Sequence, residues 1–194
     1  MIDIAAEFGY HRSAEIDSHT LYTASQNSLM PNRFIFSLFA FALIAASTRA
    51  DDLTYTRKDD VIYGRKYGLA LTMDVFAPKE HANGRGIIWC VSGGWVSAKP
   101  QGIAQAKELV DRGYTVFAVV HGSQPKFTIP EVLDDMHRAV RYIKAHAQEY
   151  GVDPDKLGIS GGSAGGHLSL MQGYAPKPGN PNAADPVERQ SSSI

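Results

Sequence analysis

Ser163 lies in the run Gly161-Gly162-Ser163-Ala164-Gly165-Gly166-His167, a G-x-S-x-G pattern. A serine hydroxyl is a poor nucleophile at neutral pH. It needs a base to take its proton and N–H donors to hold the oxyanion that forms. Small residues on either side let the backbone turn sharply from strand to helix and lift the hydroxyl clear. Residues 156–160 read as a short buried strand, and residues 164–174 as the following helix, with Leu168 and Met171 apolar. Ser163 falls at the turn, and the Ala164 N–H stands at a helix N-terminus, where a developing anion is stabilised. The alternative is a glycine-rich structural turn or a phosphate loop. A phosphate loop wants G-x-x-x-x-G-K-[ST], and no lysine follows these glycines.

A second motif lies upstream. Residues 86–91 are a continuous apolar run, as expected of a parallel strand covered on both faces, and end in Ser92-Gly93-Gly94-Trp95. Glycines there let backbone N–H groups approach an oxyanion, so Gly93 and Gly94 are candidate donors together with Ala164. An ordinary strand-to-helix turn is the alternative. Trp95 is a candidate pocket residue. So is His121, which ends a strand at the carboxyl edge, where open α/β sheets bind ligands; a satisfied structural histidine is the competing reading. His167 reads as a packing or hydrogen-bonding residue, one turn beyond Ser163, and His137 and His146 as surface residues. The histidines show no metal-ligand spacing, and neither metal nor cofactor is expected. The lone Cys90 reads as a buried structural thiol.

Strands are expected at 61–65 and 71–76, joined by a turn over 66–70, and again at 86–91, 114–120 and 156–160. Residues 101–112 carry Ile103, Ala106, Leu109 and Val110 at helical spacing, stopped by Gly113. Thr128-Ile129-Pro130-Glu131 is a capping box with proline in the first turn, opening a helix with Val132, Met136, Val140 and Ile143 on one face. Strand–helix alternation of this kind predicts an α/β fold, a mostly parallel sheet with helices on both faces. From residue 175 the chain turns proline-rich, and 175–194 is expected to be a loop, either a disordered tail or an interrupted connection.

The chain has 194 residues, 44% hydrophobic, with net charge −1. Neither sign dominates, so no nucleic-acid partner is expected. A basic segment at 30–33, an uncharged apolar run at 34–46 and small residues at Thr48 and Ala50 read as a signal peptide over 30–50. The protein is then secreted or periplasmic, with membrane attachment only if that segment is retained. Residues 1–29 are expected to be a disordered or mis-assigned extension.

Between about residues 60 and 193 the chain resembles the α/β-hydrolase superfamily, in particular exported bacterial esterases and lipases of the BD-FAE and hormone-sensitive-lipase-like type. Val-Ser-Gly-Gly-Trp at 91–95 stands where that type has His-Gly-Gly-Gly-Trp, with Val91 and Ser92 replacing the histidine and first glycine. The resemblance implies Ser163 as nucleophile and Gly93, Gly94 and Ala164 as the oxyanion hole. It also implies a triad in the order Ser, Asp/Glu, His. After Ser163 the acids are Asp185 and Glu188, and no histidine follows His167. Asp74, Asp134 and Asp135 are poor substitutes, the last two reading as ordinary helix-start charges near Arg138. Residues 51–174 are therefore expected to be the N-terminal part of such a domain, truncated after the elbow helix. The implied function is hydrolysis of small-molecule or carbohydrate-linked carboxylic esters through an acyl-serine, in a fragment lacking the acid and the histidine. Residues 161–167 also resemble the serine motif of prolyl-oligopeptidase-type peptidases. An exported peptidase fragment is one alternative; a non-catalytic binding module keeping the pocket is another.

Overall fold

The first two strands carry alternating apolar residues in part, Val61 and Tyr63 in one and Leu71, Met73 and Val75 in the other. The structure, a computed structural model, describes residues 53–100, 104 and 106–194. The expected extension at 1–29 and signal peptide at 30–50 lie outside the described residues. β1 (Tyr55–Lys66) and β2 (Leu69–Pro78) form an antiparallel hairpin. Both are longer than the sequence pattern suggested: the turn shrinks to Tyr67-Gly68, with φ 47 and 79, and at the far end Tyr55 pairs with Pro78 and Lys58 with Val75. Positive φ at both central residues is the two-residue turn whose twist matches a hairpin. β2 sends Leu71, Met73 and Val75 into the core.

β3 (Gly86–Val91), β4 (Thr115–Val120) and β5 (Leu157–Ser160) complete a five-stranded sheet in the order β1-β2-β4-β3-β5. β2 meets β4 antiparallel, whereas β4–β3 and β3–β5 are parallel. Among the described residues β5 is the edge of the sheet and pairs with β3 alone.

Helices cover both faces. α1 (Lys107–Asp111) buries Val110 against Phe76, Val116 and Ala118. It is shorter than the helix expected over 101–112; residues 101–103 and 105 of that span lie outside the described residues. On the other face, α2 (Ile129–Ala145) inserts Val132, Met136, Val140 and Ile143 among Met73, Ile88, Phe117 and Val119. Each such side chain contributes about 1.5–3 kcal/mol on burial. α3 (Ala164–Tyr174) adds Leu168 to the same core.

The segment after α3 is a loop, as its prolines suggest, but not a disordered one. It is neither a free tail nor structureless: it folds back across α2 and makes a 3-10 turn, Pro186–Arg189. Glu188 accepts from Arg138 at 2.7 Å and Arg141 at 2.6 Å, and Asp185 pairs with Arg138 at 2.7 Å. Ser192 is buried between α2 and α3. Its hydroxyl lies 3.0 Å from His137 Nδ1 and accepts the Lys177 N–H at 2.7 Å, and its carbonyl accepts from Gln172 Nε2 at 2.6 Å. Proline favours extended backbone here, but two arginines on α2 give that backbone a surface to lie on. His137 is consequently buried, not at the surface, and burial pushes its pKa down to about 4. His146 is half-buried, its Nδ1 2.8 Å from Tyr142 O. Arg138 does not serve Asp134, which pairs instead with Lys177 of the returning segment.

Candidate active site

The glycines around Ser163 are required by contact, not only by flexibility. A Cβ on Gly165 would stand 2.6 Å from the Cys90 carbonyl oxygen of β3, and one on Gly161 would stand 2.7 Å from the Gly165 backbone. β5, its turn and the first residues of α3 are therefore stacked backbone on backbone against β3. Ser163 occupies the bend at φ 51, ψ −119 and is exposed. That region is costly for a residue with a Cβ and persists where the surroundings over-determine it. Among the described residues, Ser163 Oγ and the Ala164 N–H have no hydrogen-bond partner. The helix therefore begins with a hydroxyl and an amide both free for a ligand.

The loop after β3 comes to the same place. The Trp95 ring lies edge-on to His167, centroids 5.9 Å apart. Ser92 and Gly93 share with Gly162 the wall of a cleft of about 400 Å³. Gly93 departs from expectation. Its N–H donates to Val96 O at 3.0 Å, and the Val96 N–H donates to Gly93 O at 2.9 Å. Gly94 and Trp95 both have positive φ, 57 and 60, so the loop is a two-residue turn whose flanking residues exchange both bonds. The Gly93 amide is thus committed within the loop. Gly94 and Ala164 are the amides among the three candidates with no partner among the described residues.

Trp95 and His121 do not line this cleft. Trp95 is turned onto His167. His121 is buried 3% exposed, with Nδ1 2.6 Å from Gly122 O, and faces a separate cleft bounded by Leu69, Leu71 and Phe127. Burial lowers its pKa, so it sits there as a neutral ring. Neither histidine is paired with Ser163, and the carboxylates are occupied elsewhere. Asp74 is buried against Arg57 at 2.6 Å and accepts the Asp60 N–H at 2.9 Å. Asp135 is not an ordinary helix-start charge: it is buried, accepts from Lys66 at 2.7 Å and holds the Gly122 N–H at 2.9 Å. A side chain on Gly122 would strike Phe127 at 2.6 Å, which is why glycine follows His121.

The sequence reading missed Ser97 and Ser123, which fasten the loop after β3 to the segment after β4. A lone serine in a loop carries no local signal of such a bond. Cys90 is as expected: buried, with its pKa raised to about 11 by burial, and therefore an unreactive thiol.

A serine on a strained strand-to-helix bend, at the carboxyl edge of a sheet ordered in this way, defines an α/β-hydrolase fold. Residues 73–192 match the BD-FAE family, and the chain belongs to it. It is 35% identical over 127 residues to the "Probable carboxylic ester hydrolase LipM" of Mycobacterium tuberculosis, covering 63% of this chain and 29% of that protein. A solved truncated carbohydrate esterase from gut microbiota superposes with a TM-score of 0.60 at 25% identity, covering 74% of this chain and 55% of that one. Thermogutta terrifontis esterase 2, phosphorylated by paraoxon, superposes with a TM-score of 0.57 at 26% identity, covering 71% of this chain and 54% of that one. The chain thus spans about half of these structures and less than a third of LipM.

Proposed function

We propose that the protein is a serine hydrolase of carboxylic esters. The observation that carries this reading is the exposed Ser163 at φ 51, ψ −119, beside the unpartnered Ala164 amide. Ser163 Oγ attacks the ester carbonyl carbon and gives up its proton to a base. The oxyanion is held by the Ala164 and Gly94 amides. Collapse breaks the carbon–oxygen bond to the alcohol, which leaves with a proton. Water then attacks the acyl-serine and releases the acid. Histidine and acid come from the part of the family fold that this chain does not span. The relation to a carbohydrate esterase favours small or carbohydrate-linked esters as substrates. Residues 30–50 direct export, so the working location is periplasmic or extracellular.

Paraoxon tests the reading, because phosphorylation needs the nucleophile and oxyanion site but no complete turnover. Ser163 Oγ forms a bond to phosphorus, 4-nitrophenolate leaves, and the hydroxyl proton passes to solvent. Mass spectrometry of the 194-residue chain is expected to show slow addition of one diethylphosphoryl group on Ser163, with negligible turnover of 4-nitrophenyl acetate. Absence of labelling, or equal labelling of Ser163→Ala, overturns it.

A further inference from the structure

Among the described residues, the loop that carries Gly94 takes all its side-chain hydrogen bonds on one arm. Its near arm contributes no side-chain hydrogen bond: Ser92 Oγ and Trp95 Nε1 are buried without a partner among the described residues. Trp95 nonetheless sits at φ 60, a conformation that costs a bulky residue about 1 kcal/mol or more and lasts only under external constraint. The constraint is on the far arm. Ser97 Oγ donates to the carbonyl of Val91, the last residue of β3, and accepts the His121 N–H at 3.2 Å. The Ser97 N–H donates to Ser123 Oγ at 2.9 Å, and Ser123 Oγ returns a bond to Ser97 O at 3.2 Å. The Gln124 N–H donates to Trp95 O at 3.2 Å. The Ser97 hydroxyl therefore closes the loop onto the strand it left and ties it to the end of β4.

We infer that Ser97 is the positioning residue of the oxyanion loop, setting where the Gly94 amide stands relative to Ser163; the catalytic part of this inference rests on the hydrolase reading above. Ser97 touches no reacting atom. It acts through the two-residue turn, whose flanking amides at Gly93 and Val96 report its state.

The experiment compares wild type with Ser97→Ala, Ser97→Thr and Ser123→Ala. Amide hydrogen exchange at Gly93 and Val96 is read by NMR, and paraoxon phosphorylation as maximal rate against half-saturating concentration. Ser97→Ala is expected to speed exchange at these two amides, with core amides unchanged, and to lower the maximal phosphorylation rate about tenfold at unchanged half-saturation, as displacement of a donor predicts. Ser97→Thr restores both. Ser123→Ala, which keeps the Ser97 hydroxyl, gives a smaller change in the same direction, and it and the threonine variant carry the comparison if Ser97→Ala does not fold. Unchanged exchange at Gly93 and Val96, a rise spread evenly over core amides, or failure of threonine to restore overturns the inference. Faster exchange in Ser97→Ala with no phosphorylation of wild type leaves the positioning role standing and removes the hydrolase reading instead.

Discussion

α2 and α3 begin in opposite ways. α2 starts at Thr128 in extended conformation, φ −76, ψ 160, with proline in its first turn. The Glu131 carboxylate accepts both the Thr128 N–H and the Thr128 hydroxyl at 2.8 Å. Those bonds also hold the Glu131 carboxyl below its ordinary pKa. α3 starts at Ser163 with positive φ, no side-chain cap, and glycines jammed against β3. The first start satisfies its own donors and stabilises the helix. The second leaves donors open and is held by packing from outside, an expense that a binding site for an anion requires.

The sharpest way to break this contrast is to add an atom at the second start. Gly165→Ala places a Cβ against a backbone oxygen that cannot rotate away, and is expected to cost about 3 kcal/mol in urea denaturation. A cost under half of that shows that α3 is not wedged on β3.

Acid probes the place where both helices meet the returning segment, through His137. The unfolded chain protonates this histidine near the ordinary imidazole value of 6.5, the folded protein only near 4. Between those values the unfolded state binds more protons, so stability falls as pH drops from about 6.5 towards 4. At its steepest the loss is about 1.4 kcal/mol per pH unit. Above that window His137 contributes no slope. Denaturation curves across the window measure it, and His137→Gln is expected to flatten them.

The finest test exchanges one residue at each start. Thr128→Ala removes the hydroxyl that holds Glu131 and is expected to lower stability by about 1 kcal/mol. Ser163→Gly suits the positive φ and is expected to raise stability by about 1 kcal/mol while abolishing paraoxon labelling. Two effects of the same sign in thermal or urea unfolding would remove the distinction between a start built for stability and one built for exposure.

What the sequence revealed follows the range of the forces involved. The capping box of α2, the apolar run of β3 and the G-x-S-x-G bend are local, and each is legible within a few residues. The burial of His137 depends on Ser192, far along the chain, and the anchoring of Gly122 on Asp135 and Lys66 joins three separate elements. Composition gives no sign of such pairings. The bond that occupies the Gly93 amide is illegible for a related reason: the turn at Gly94-Trp95 needs positive φ at a tryptophan, which propensity argues against. Proline content shows the loop after α3 but not its order, because the arginines that fix it lie on α2.

Cys90 gives the molecule a built-in probe. It is the sole cysteine in the sequence, its carbonyl lies beneath Gly165, and its sulfur accepts from Ser169 at 3.4 Å. A disulfide reagent can reach that sulfur only after α3 lifts from β3. The rate at which such a reagent colours the native protein therefore times the opening of the helix that begins at Ser163, without any substrate present.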